Sequence, residues 1–242
     1  MKHTLFITIT LALLFLASHA MGLVIIDEYL PKTLSTGEIV ERELPLNIER
    51  PEVREETSFI PIFFIILFAT IIALLFIKFQ LFKLWKLWFF ISIALTLIIA
   101  FSAFINQVYA IILGIVLALM KLFKPSTIMN NLIEIFIYGG LAAIFVPIFN
   151  LLSISILLIL ISIYDAYSVL KSKHMIKLAK FQTKAKVFTG LSIPYQFKKE
   201  KRTMLSLLVL LFYGKKGKFY PAMPILTMGC FLGYLTVKFI LF

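Results

Sequence analysis

The stretch LLILISIYDAYSVLKSKHMIKL (residues 157–178) sets one carboxylic acid, Asp165, in an apolar run just ahead of a dense basic segment. Inserting an acid into a bilayer costs about 3 kcal/mol, so the group must face the bundle interior or a water-filled cavity. That makes it a functional-site candidate, with a buried helix-packing contact as the plainer alternative. A second feature is Pro221-Ala222-Met223-Pro224, which opens the last apolar run. Its two prolines lack N–H groups and prevent a regular helix through the entry. Irregular backbone at membrane depth is tolerated only inside protein or beside a cavity, so this segment suits a place where another extended peptide could lie. A proline-punctuated helix start at the interface accounts for it equally well. Glu134, the other acid within the apolar runs, falls near the cytoplasmic end of its helix and reads as an interfacial residue. His3, His19 and His174 are scattered with no metal-ligand spacing, so no metal or other cofactor is expected. A single cysteine, Cys230, excludes an internal disulfide framework. Gly229 and Gly233 form a Gly-x-x-x-Gly, a common but unspecific helix-packing face.

The elements that must position these residues follow from composition. The chain has 242 residues, of which 61% are hydrophobic and only 15% charged, well outside the balance of a soluble domain. Its net charge of +12 would raise nucleic-acid binding in a soluble protein. Here the basic residues sit in short segments between apolar runs, which topology explains better. They also lack the interleaved aromatics of a base-stacking platform, so no nucleic-acid partner is expected. The lipid bilayer is the partner that the composition implies.

A hydrocarbon core of about 30 Å needs about 20 helical residues. Residues 1–26 hold a first span, although Ala17-Ser18-His19-Ala20 also resembles a weak signal-peptidase site, which leaves removal of this segment open. Residues 27–57 form an acidic, proline-broken segment read as a solvated extracytoplasmic loop. Residues 58–170 hold five spans. Lysines at 78, 83, 86, 121 and 124 mark the cytoplasmic side, and turns fall at Asn106–Gln107 and around Pro147 and Asn150. Residues 171–218 form a basic cytoplasmic loop with ten Lys/Arg between Lys171 and Arg202, and with a short apolar piece at 204–213. Residues 219–242 form the last span. The expected fold is all-α, a polytopic bundle of about seven transmembrane helices. The N-terminus and the basic loop lie inside, and the acidic loop and C-terminus outside.

With these elements in order, Tyr164-Asp165, the basic segment after it and Pro221-Ala222-Met223 resemble the presenilin and signal peptide peptidase family of intramembrane aspartyl proteases, its archaeal presenilin-like branch above all. The family pattern is a Tyr-Asp on a sixth helix, a Gly-x-Gly-Asp on a seventh and a Pro-Ala-Leu opening a ninth. The resemblance implies that Asp165 is one catalytic aspartate, supported by Tyr164. It also implies that Pro221, Ala222, Met223 and Pro224 contact an extended peptide drawn from a transmembrane-helix substrate. Methionine for leucine at 223 conserves volume. The departure is that the chain contains no Gly-x-Gly-Asp; its other aspartate is Asp27. The implied bundle therefore lacks two helices, between about residues 198 and 204.

Aspartyl proteolysis needs two carboxyls around one water, one taking its proton while the other protonates the scissile carbonyl. A lone Asp165 cannot hold both roles, so the expectation is a family member inactive or truncated in this chain. Supply of the missing carboxyl by another chain is a second reading. A small membrane carrier or channel using Asp165 as a proton or cation site is the alternative from another class, disfavoured by the absence of a repeat.

Overall fold

The computed structural model describes residues 5–33, 39–40, 42–50, 53–123, 126–187, 190–196, 199–204 and 221–241. Its helices, in chain order, are α1 (Leu5–Tyr29), α2 (Phe59–Lys78), α3 (Phe82–Ser102), α4 (Gln107–Phe123), α5 (Thr127–Phe145), α6 (Leu151–Leu170), α7 (His174–Lys184) and α8 (Met223–Leu241). Two short antiparallel ribbons complete it. β1 (Lys32–Thr33) pairs with β2 (Ile39–Val40), and β3 (Ser192–Gln196) pairs with β4 (Lys199–Met204), with Ser192 opposite Met204. The fold is all-α in class. The 204–213 apolar piece lies almost wholly outside the described residues.

Among the described residues, five helices (α1, α2, α3, α5 with its 3-10 extension, and α6) are long and apolar enough to cross a membrane, and α4 and α8 are shorter apolar helices. The exposed surface is apolar in the way lipid requires: Phe64, Ile65 and Phe68 on α2 are 64%, 63% and 64% exposed. The helices end where local chemistry predicts. Asn106 Oδ1 accepts the Val108 N–H at 3.1 Å at the start of α4. Asn150 caps α6 by accepting the Ser153 N–H at 2.8 Å.

With no hydrophobic force between helices in lipid, close approach of small residues decides the packing. Gly22 of α1 faces Gly139 of α5, where an added Cβ would meet the partner's Cα at 3.9 Å. A Cβ on Gly140 would collide with the Thr96 carbonyl of α3. Around these contacts Ile25, Tyr29, Ile99, Ala100 and Ala143 form one buried cluster, and Leu97, Ala118, Ile133 and Ile137 a second. α1 is thus an integral part of this packing.

The structure corrects four expectations. The acidic segment is not wholly solvated: Leu44 and Pro45 are buried, and Arg42 donates to the Ala103 and Ser102 carbonyls at 2.9 and 2.5 Å, capping α3. The basic segment read as a loop contains α7 and the β3–β4 ribbon. Leu178 and Phe181 recur at helical spacing, and Phe181 stacks on Phe82 at 4.6 Å. Gly229 and Gly233 have nothing within 4 Å of an added Cβ among the described residues, so they do not form a packed face there. Glu134 is not interfacial but buried, with its side chain 2% exposed.

Candidate active site

The carboxylate of Asp165 and the Pro-Ala-Met-Pro segment meet across 57 residues of sequence. Asp165 lies in the C-terminal half of α6, 8% exposed, and α8 packs alongside. Its Oδ2 accepts the Ala222 N–H at 2.8 Å and the Met223 N–H at 3.0 Å. The local sequence explains why these two. A helix start leaves its first N–H groups without intrahelical partners. Pro221 and Pro224 have none to offer, so Ala222 and Met223 carry the only N–H groups within the tetrapeptide. Leu226 N–H already turns back to the Ala222 carbonyl at 3.2 Å. Asp165 therefore caps α8 from another helix.

A hydroxyl pair continues this seam deeper. Ser162 Oγ and Thr227 Oγ1 lie 2.6 Å apart, and both reach the Leu158 carbonyl, at 2.7 and 3.2 Å. Ser168 Oγ donates to the Asp165 carbonyl at 2.9 Å. Ser162 and Asp165 on one face of α6, bonded to Thr227 and to the first amides of α8, hold the two helices in register, while Ser168 bonds within α6.

Tyr164 points away from this seam. Its hydroxyl lies 3.0 Å from His174 Nε2 at the first turn of α7, and His174 Nδ1 lies 2.6 Å from Ser172 Oγ. With its proton on Nδ1, the imidazole donates to Ser172 and accepts the Tyr164 O–H. Burial and, less strongly, the Lys177 ammonium push the His174 pKa below its ordinary value, which favours that neutral ring. Tyr164 thus ties the end of α6 to α7 and does not touch the Asp165 carboxylate.

No second carboxylate joins Asp165 among the described residues. Asp27 is at the far end of α1, its side chain 72% exposed and paired with Lys32 at 3.3 Å. Glu134 is buried but bound to Lys121 of α4, whose side chain is also 2% exposed, and accepts the Gly190 N–H at 2.9 Å. The His174 contact, the Ser162–Thr227 pair and the Lys121–Glu134 pair were not anticipated from the sequence. The last had a signal, an acid and a base flanking the turn between two apolar runs.

The geometry offers one carboxyl held by two backbone amides at the proline-flanked first turn of α8. Comparison with known proteins bears on the family and the fold. The family described as signal-peptide peptidase, presenilin aspartyl protease matches residues 21–198. A solved structure of a presenilin family intramembrane aspartate protease, in a C222 crystal form, superposes with a TM-score of 0.58 at 18% identity. The match covers 95% of this chain and 97% of that one. No curated protein matches the chain.

Proposed function

Because the chain belongs to the signal-peptide peptidase and presenilin family of aspartyl proteases, we propose that it is an intramembrane aspartyl-protease scaffold in which Asp165 is one half of the catalytic pair. By itself it has little or no peptidase activity. It is an integral membrane protein, and its substrates, where cleavage occurs at all, are transmembrane-helix peptides. The observation that carries this reading is the Asp165 carboxylate, buried and held at 2.8 and 3.0 Å by the amides of Ala222 and Met223. An acid placed at a proline-flanked helix start is where an extended peptide and a reacting carboxyl can meet. In this role Pro221, Ala222, Met223 and Pro224 line the peptide's path, and Tyr164 supports the end of α6 through His174.

The missing half decides the activity. Of two cooperating carboxyls, one must be ionised to take the water's proton and the other protonated to donate to the scissile carbonyl. Removing one member of such a unit typically eliminates most of the rate. Asp27 lies outside the apolar region of α1 in a surface ion pair, and Glu134 is already bound to Lys121, so neither is available. The lysine-rich segments support an orientation with the N-terminus and α7 in the cytoplasm and the C-terminus outside.

The test is cleavage of a transmembrane peptide by the purified chain in detergent or nanodiscs, with Asp165→Ala as control. The two proteins should release product at indistinguishable rates. Cleavage that Asp165→Ala abolishes would overturn the inactive reading while leaving Asp165 as a catalytic residue.

A further inference from the structure

The second buried acid suggests a different kind of device. Glu134 Oε1 accepts both the Lys121 ammonium and the Gly190 N–H, the latter at 2.9 Å. One turn earlier on α5, Asn130 Nδ2 donates to the Gly190 carbonyl at 3.1 Å. Residues four apart share one helix face, so the two side chains together grip both backbone polar groups of one residue. Gly190 has φ 123°, a conformation that a side chain would strain, and it lies two residues before β3. The chain leading to it is docked as well: Phe181, Ala185, Val187 and Leu191 are 3%, 3%, 7% and 2% exposed.

A buried ion pair is poor evidence for stability alone, since apolar replacements of both partners often serve as well. What apolar side chains cannot do is hold a peptide group. We propose that Lys121, Glu134 and Asn130 form a latch that pins Gly190 and fixes where the β3–β4 ribbon leaves the bundle. Lys121 balances the charge of Glu134 and orients its carboxylate, while Glu134 and Asn130 do the gripping. The segment from α6 to the ribbon is then held at both ends, by Tyr164 on His174 at its start and by the latch on Gly190 at its finish. The lysine-rich segment is a docked part of the membrane protein, and any change in the α4–α5 contact passes directly to the ribbon.

The latch is tested by amide hydrogen exchange of the full chain in nanodiscs, followed by mass spectrometry, with trypsin cleavage at Lys184 and Lys186 as a second readout. In the Lys121→Met/Glu134→Met double variant, exchange across residues 190–196 should rise about tenfold or more while α4 and α5 exchange as in the wild type. Asn130→Ala removes one grip without touching the ion pair and should raise the same exchange about fivefold. Glu134→Gln, which keeps an oxygen for the Gly190 N–H, should fall between wild type and the double variant. Wild-type protection of residues 190–196 in both the double variant and Asn130→Ala would overturn the proposal. So would a loss that only parallels loosening of α4 and α5, since that is what a packing contact alone produces.

Discussion

The two carboxylates buried among the helices of the described residues are satisfied in opposite ways. Glu134 is matched charge for charge by Lys121 and holds one backbone amide besides. Asp165 holds two backbone amides, and no lysine or arginine among the described residues pairs with it. The first is a closed arrangement in which the cation commits the acid. The second is held by peptide N–H groups, with no counter-ion among the described residues. Both sit toward the lysine-rich ends of their helices. The comparison separates an acid paired with a cation from one held by backbone amides where burial does not, since both are under a tenth exposed.

The largest effect that can break this comparison comes from removing one ion. Glu134→Ala leaves the Lys121 ammonium buried without its partner and should lower stability by about 3–5 kcal/mol, read as a fall in the detergent melting temperature. Lys121→Met should do the same from the other side. The double replacement by methionine should restore most of that loss, because two apolar side chains of similar volume need no counter-charge. If the single variants melted like the wild type, the arrangement at Glu134 would not be closed.

Asp165 should respond more gently and to a different chemistry. Asp165→Ala leaves the Ala222 and Met223 N–H groups unmatched and should cost about 2–4 kcal/mol, with faster exchange at the start of α8. Asp165→Asn retains an oxygen in the same place and should cost about half as much, because a neutral acceptor bonds less strongly than a charged one. Equal losses for the two variants would mean that charge, not acceptor geometry, seats α8.

Much of this was legible in the sequence, and the limits have physical causes. The apolar runs are long, so hydropathy alone fixes the helices from α1 to α6 and α8 within a few residues. Asp165 and the Pro-Ala-Met-Pro segment stand out because each breaks the rules of an ordinary span. The sequence does not show that they touch, since 57 residues separate them and only the family resemblance brings them together. Glu134 reads as interfacial because a charge near a helix end is usually solvated, and Lys121, thirteen residues earlier, has the position of a topology marker. α7 was obscured in the same way: its lysines conceal the Leu178–Phe181 spacing that docks it on Phe82 and Trp85. The β3–β4 ribbon has only a short alternation, interrupted by Pro194, which periodicity cannot distinguish from loop.

The α8 end of the comparison sharpens with substitutions that leave Asp165 alone. Met223→Leu keeps the backbone N–H and nearly the same volume, so it should change stability by less than about 1.5 kcal/mol. Ala222→Pro removes one of the two donors and should cost about 1–2 kcal/mol, measured by thermal melting. A smaller loss for the proline would show that Met223 N–H alone holds the carboxylate.

The smallest effect lies where α6 hands over to α7, and it carries a sign. Burial and Lys177 hold the His174 pKa below its ordinary value near 6.5, so the unfolded chain takes up this proton more readily than the folded one. Stability must therefore rise with pH through the window between the folded and unfolded values. The contribution is fully present above about pH 6.5 and fades as the pH falls toward the lower folded value. The contact responds the same way, because a protonated imidazole has no lone pair to accept the Tyr164 O–H. His174 is largely solvent-screened, so the change should stay well under about 1 kcal/mol. Melting curves between pH 8 and pH 5 should show a shallow acid-side decline in the wild type. In His174→Gln, which keeps hydrogen-bonding groups without a titration, that decline should be smaller. An equal decline in both proteins would assign the pH dependence elsewhere and remove His174 as the link between the Tyr164-Asp165 turn and the latched segment beyond it.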